Sequence, residues 1–466
     1  MTVRLTRFED VRDAFRQRDL RQAIYDESGV LLDGTVLKLH GEPHRRRRLL
    51  EGRLFRVETL RGYERDVILP AIEATVRPFP RDGRLDLVPM AQRVTLVLAA
   101  LIAGVDRPLG TPEELERLLE LGRWFGRGTI LMYAPAGNRE QVREGVRRAL
   151  DAFEREFLAP SRARRLALLE RFGRGEVPEA ELPRDVLTVL LRNQDRLDLP
   201  ADVVRREVAA YLMAGSHSTV MAFTKAMHDV FGWLERHPGD RDQLAGDLPF
   251  VQRCVHESLR LNPASPVGRR IAVAEVRLRG GTLVREGDLV ELDMMAANRD
   301  QAVFGSDAGR FSPWRTLPED VPPWGVTFGT GAHACIGLVL AGGLDPAHQR
   351  DDPEERNYGS VALLARAMFR RGARVDPERP PVRDPRSTRP QWSSYPVLLA
   401  NVEDGGAASP SPSAGEGRGG GEASPGEHRA GGASTFGPPT PGSPEARRAM
   451  GVGLPREGGG GEGGGS

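Results

Sequence analysis

Apolar positions recur with helical spacing over long stretches, most clearly in residues 112–126, 140–158, 201–236 and 248–261, and these predict four long helices. A continuous apolar run over residues 94–105 is 12 residues long. A bilayer crossing needs about 20, so the run predicts a buried helix and no membrane span. Shorter runs with strand-like patterning, residues 271–278, 282–284 and 288–292, are punctuated by Gly280, Gly281 and Gly287 and predict a small sheet of hairpins. The fold class is mainly α with a minor β part, and no internal repeat is present.

Composition divides the chain in two. From residue 405 to 466 glycine, serine, proline and glutamate dominate, and such a segment cannot bury a core. We expect one domain over residues 1–404 and a disordered tail over 405–466. Charge narrows the partners: 66 basic and 65 acidic residues leave a net charge of +1, which gives no field to recruit nucleic acid or an anionic membrane. Two cysteines, Cys254 and Cys335, cannot form a disulfide framework, and no basic-then-apolar leader opens the chain, so a cytoplasmic protein is expected. A zinc site has no paired His/Cys ligand set to draw on.

Chemistry concentrates in residues 324–337, WGVTFGTGAHACIG, where Cys335 follows a glycine-punctuated stretch and precedes an apolar run. The pattern predicts a loop feeding a helix. There, backbone N–H groups and a helix N-terminus would lower the thiol pKa and favour an anionic metal ligand. Gly329 and Gly331 would let the backbone turn tightly beside a flat cofactor. Taken alone, a cysteine in such a place is more often a buried structural residue.

The order Phe328, Gly329, Gly331, His333, Cys335, Gly337, continued by Leu340 and Ala341, resembles the haem-binding loop of the cytochromes P450. The resemblance implies the cytochrome P450 fold, haem b as cofactor and Cys335 as the thiolate ligand of its iron. Five further segments support it. Glu257 and Arg260 resemble the family's E-x-x-R, and Phe311, Pro313 and Arg315 its F-x-P-x-R, which together imply a structural trio bracing the haem loop. His44 and Arg48, four apart with Phe55 beyond them, resemble the helix that contacts the haem propionates. Arg270 resembles the arginine of the propionate-facing strand, with Arg269 a competing choice and His333 another donor. Residues 297–300, ANRD, resemble a structural connection of the family.

Residues 211–220, YLMAGSHSTV, resemble the distal helix that crosses the haem. Ala214, Gly215 and Thr219 fit, but His217 stands at the family's acid position and Ser218 at its alcohol position. The family's proton relay implies a widened helical turn there. Histidine exchanges protons near neutrality and serine keeps a hydroxyl, so His217 and Ser218 are expected to form an altered relay; the alternative is a histidine with no part in chemistry. The family's leading helix and first strands are expected to be shortened or absent. After Ala341, Gly342, Gly343 and two prolines break the helix and imply an inserted loop.

The resemblance implies a monomeric monooxygenase that takes electrons from a ferredoxin and its reductase and acts on a small organic molecule. Two other readings stay open: a peroxide-using or oxidative-coupling haem-thiolate enzyme, and a haem- or ligand-binding protein that has lost turnover.

Overall fold

The computed structural model describes residues 1–77, 83–349, 355–385 and 389–400. The expected tail lies outside the described residues. The chain folds as a helical body with a small sheet at one side, in the proportions that the apolar patterning predicts.

The elements that position the site are, in chain order, β1 (Thr2–Leu5), α1 (Phe8–Arg16), β2 (Leu20–Gln22), α2 (Gly41–Glu51), α3 (Leu87–Ala103), α4 (Pro112–Thr129), α5 (Arg139–Phe153), α6 (Ala201–Leu234), α7 (Leu248–Leu261), β3 (Val267–Ala272), β4 (Leu289–Asp293), α8 (Leu338–Gly342) and α9 (Ser360–Phe369). The apolar run of residues 94–105 falls in α3, which Asp86 caps by accepting Val88 N–H and which Gly104 ends at φ +86°.

Helix α6 runs 34 residues, about 50 Å at 1.5 Å per residue. It is apolar nearly all round, as a central helix must be. Gly215 lies against α3, where a Cβ would stand 3.1 Å from that of Ala99. The absent side chain of Gly215 therefore serves helix packing.

The sheet has the order β1-β4-β3-β2, with β1 parallel to β4 and the other pairs antiparallel. One short strand, β1, precedes α1, Thr2 pairing with Leu289 and Leu5 with Leu292. Two expectations are corrected here. The run of residues 271–278 is not one strand: β3 ends at Ala272, and Val276–Arg277 pairs separately with Leu283–Val284. The helix expected over 140–158 also continues, through a widened turn at Glu154–Leu158, to Gly173. That turn precedes Pro160, which has no N–H to give an α-helical ladder.

Candidate functional site

Cys335 sits at the end of a tightly turned loop. Gly329 and Gly331 take φ +64° and +73°, and a 3-10 turn spans Gly331–His333. Cβ atoms on these glycines would press on Phe15, at 3.4 Å from Gly329 and at 2.8 Å to the Phe15 carbonyl from Gly331, so α1 backs the loop. Cys335 N–H donates to Phe328 O at 2.8 Å and closes it. Gly337, just past the thiol, has no atom within 4 Å of where a Cβ would stand. The loop feeds α8, as expected, although that helix is only five residues long.

The thiol reaches solvent but is surrounded by protein, and burial pushes its pKa up, against the opposing pull of the Gly337 N–H and Arg48. The expected lowering by loop and helix terminus is therefore corrected. Desolvation of the thiolate outweighs what a five-residue helix and one N–H supply.

Beneath the loop, Glu257 is the hub of a buried brace. Arg260 Nε and Nη2 each donate to its carboxylate at 2.7 Å, and Arg315 Nε donates to the same carboxylate at 3.1 Å. Arg260 is fully buried and also donates to Ala308 O at 2.8 Å and to Asn298 O. Asn298 returns a bond to Arg260 O and accepts from Val326 N–H, which carries the brace into the loop. The ANRD segment is thus a structural connection, as its pattern implied. A hollow of about 510 Å³ lies outside Arg315, but that guanidinium is already engaged by Glu257 and Asp307.

Over the loop, α2 presents His44 and Arg48 on one face. The His44 and His333 rings stack at 3.9 Å, and Arg48 donates to Ala334 O. Alternation along β3 decides between the two arginines. Arg269 points outward and pairs with Glu291 at 2.8 Å, whereas Arg270 points inward, is 3% exposed and, among the described residues, has no carboxylate partner. Burial lowers the pKa of Arg270 to about 10, still a cation at neutral pH.

Burial also lowers His44 to about 4, helped by Arg48 and His40, and His333 to about 3, helped by His44, Arg270, His40 and Arg48. Both rings are therefore neutral at pH 7. Two arginines and two hydrogen-bonding rings thus converge beside Cys335, and no carboxylate acts on Arg270, His44 or His333. A flat cofactor carrying two carboxylates and needing a thiolate ligand fits this donor set. Haem fits the residues present.

On α6 the side chains of Ala214 and Ser218 are exposed, one turn apart, in the middle of an otherwise buried helix. Ile336, next to the cysteine, joins the apolar cluster that contains Leu212 and Met213. The expected relay is not assembled. The Ser218 hydroxyl donates to Ala214 O at 2.8 Å and that of Thr219 to Gly215 O at 2.9 Å, both along regular α-helix without a widened turn. The His217 ring lies against Gly126 of α4, its Nε2 has no partner, and burial, then Arg389, lowers its pKa to about 4. A histidine held neutral to that value does not exchange protons near neutrality, because its charged form is desolvated.

Sequence reasoning did not single out Gln252 and Glu64, which hold the segment after the cysteine helix. Gln252 donates to Leu344 O and Asn357 O, and Glu64 accepts from the N–H groups of Tyr358 and Gly359. Both are ordinary polar residues in helical stretches, and no local signal marks them.

A family model described as Cytochrome P450 matches residues 225–342. A self-sufficient cytochrome P450 monooxygenase of Penicillium expansum is 32% identical over 34% of this chain, and the match covers 17% of that protein. The chain therefore spans about a fifth of the length of such fungal relatives. A cytochrome P450 of Bacillus subtilis, YjiB, is 22% identical over 72% of this chain and 76% of its own. Among solved structures, CalO2 superposes with a TM-score of 0.63 at 21% identity, covering 85% of this chain and 90% of its own. P450BioI, solved in complex with a fatty acid ligated to acyl carrier protein, gives 0.63 at 17% identity, covering 85% and 91%.

Proposed function

We propose that the chain is a cytochrome P450, a haem-thiolate monooxygenase that inserts one oxygen atom of dioxygen into a small organic substrate. The observation that carries this reading is the convergence of Arg48, Arg270, His44 and His333 beside Cys335, neither arginine having a salt-bridge partner among the described residues. Haem b, when bound, supplies the oxygen activation.

The residues of this chain bind and shape. Cys335 Sγ is the ligand to the iron, and the arginines and ring N–H groups hold the two carboxylates. The Glu257 brace fixes the loop, Phe328 and Gly329 set its turn, and Gly337 leaves room beyond the thiol. Ala214 and Ser218 face the substrate side. A ferredoxin and its reductase in the cytoplasm are the electron source we assign, the family's fused arrangement in the fungal relatives being the other form. No helix among the described residues is long and apolar enough to cross a membrane.

A second reading, peroxide-supported turnover or oxidative coupling, is favoured by one observation: residues 214–219 hold no carboxylate, and the Ser218 and Thr219 hydroxyls are engaged by their own helix.

The test is the absorption spectrum of the dithionite-reduced protein with carbon monoxide. A strongly red-shifted Soret band, abolished in Cys335→Ala, is expected, and its absence in haem-supplemented wild type overturns the assignment. Turnover with hydrogen peroxide alone, and none with ferredoxin, would move the protein to the second reading.

A further inference from the structure

Seven residues beyond His44 and three beyond Arg48, on the same face of α2, lies Glu51. It is fully buried, and so is Glu207 on α6. The two carboxylates share one guanidinium, that of Arg47, whose Nη1 is 2.5 Å from Glu207 Oε2 and 3.9 Å from Glu51 Oε1. Glu207 also accepts Val36 N–H at 3.0 and 3.1 Å, so its hydrogen bonds are those of a charged group. Glu51 is served differently. Tyr211 O–H donates to its Oε2 at 2.7 Å, and its Oε1 has no hydrogen-bond partner. Two carboxylates and one cation in a dry pocket are stable only if one carboxyl keeps its proton, and the hydrogen bonds place that proton on Glu51.

We propose that Glu51 is carried as a neutral carboxylic acid and that in this form, with Tyr211, it latches α2 to α6, making it a positioning residue for the cofactor-facing end of α2. The proposal rests on the haem-binding reading, because what α2 positions is His44 and Arg48. Deprotonation would set a second anion facing Glu207 with only Arg47 to answer both. Arg48 on α2 and Tyr211 on α6 are the other ionisable groups that act on it. Burial, then the Glu207 charge, pushes the Glu51 pKa well up, against Tyr211, Arg47 and Arg48, which agrees with that assignment.

The sign follows. A carboxyl raised in the folded protein favours folding most below its unfolded value and progressively less as pH rises toward the folded one. The latch should therefore loosen on the alkaline side.

Two measurements on the ferric holoenzyme test it. Infrared spectroscopy at neutral pH should show a protonated carboxylic-acid C=O band that shifts in deuterium oxide. The band should be absent in Glu51→Gln and displaced in Tyr211→Phe, whose hydroxyl donates to Glu51 alone; retention in Glu51→Gln, or an unmoved band in Tyr211→Phe, overturns the proposal. The rate of haem transfer to apomyoglobin should rise between about pH 6 and about pH 9 on the order of tenfold more in wild type than in Glu51→Gln, whose amide keeps the Tyr211 bond but cannot ionise. Parallel pH courses overturn it. Should wild type bind no haem, the monooxygenase reading fails separately, and the infrared band of the same protein decides whether Glu51 is protonated.

Discussion

Two adjacent arginines in β3 have opposite roles because a strand alternates its faces: Arg269 meets Glu291 at the surface, and Arg270 is turned inward among Phe15, Tyr25 and the histidine pair. Arg270→Gln is expected to weaken haem retention about tenfold or more, the worth of one charge-assisted bond. Arg269→Gln, which loses a partly exposed ion pair, should change it by less than about threefold. Competition with apomyoglobin measures both, and equal effects would reject the assignment.

A second residue with a calculable consequence is His256. Its Nε2 lies 2.7 Å from Gly342 O, its Nδ1 has no partner, and burial lowers its pKa to about 4. The unfolded chain takes up this proton below about pH 6.5 and the folded one resists it, so folding stability falls as pH drops from about 6.5 to about 4, by on the order of 3 kcal/mol from this group. Thermal unfolding of His256→Gln across that window should show a correspondingly smaller acid loss. An unchanged loss would mean other groups dominate.

At the scale of elements, the helix after the cysteine stops at Gly342 and the chain resumes at α9, with the intervening excursion closed at its neck. Gly343 (φ +77°) and Gly359 (φ +83°) lie against each other, and a Cβ on Gly359 would fall 2.3 Å from Gly343 N. Leu344 N–H donates to Asn357 O, and Gln252 gathers the strand ends. Because the ends already meet, replacing residues 345–356 by a short glycine-serine linker should leave the melting temperature within a few degrees of wild type. Gln252→Ala, which strips buried carbonyls of their donor, should cost about 1–3 kcal/mol. Calorimetry separates the two, and a collapse on loop replacement would show that the excursion is part of the fold. The sequence showed this break, since two glycines and two prolines cannot continue a helix. It did not show the clasp, because Gln252 and Glu64 act across more than 90 and 290 residues of chain.

For the molecule as a whole, the domain expected over residues 1–404 and the tail beyond it yield one simple expectation. A chain ending at residue 404 should keep the carbon monoxide spectrum and melting temperature of the full protein, since the removed segment is too polar and glycine-rich to bury a core. A drop in either would give the tail a structural role.

What the sequence determined by itself was the order of the chemistry: the helical body, the glycine-turned loop at Cys335, the Glu257–Arg260 pair and the departure at His217 and Ser218, because each is carried by residues a few positions apart on one loop or helix face. Its local logic misjudged the thiol and the relay. The ionisation of Cys335 and His217 depends on how much protein surrounds them, and a hydroxyl on a regular helix finds its own carbonyl first. Only the tertiary structure could gather Arg48, Arg270, His44 and His333 from three separate segments, and place Glu51 against Glu207 and Tyr211. Charges distant in sequence interact through a shared, water-poor interior, and that interior exists only once the chain has folded.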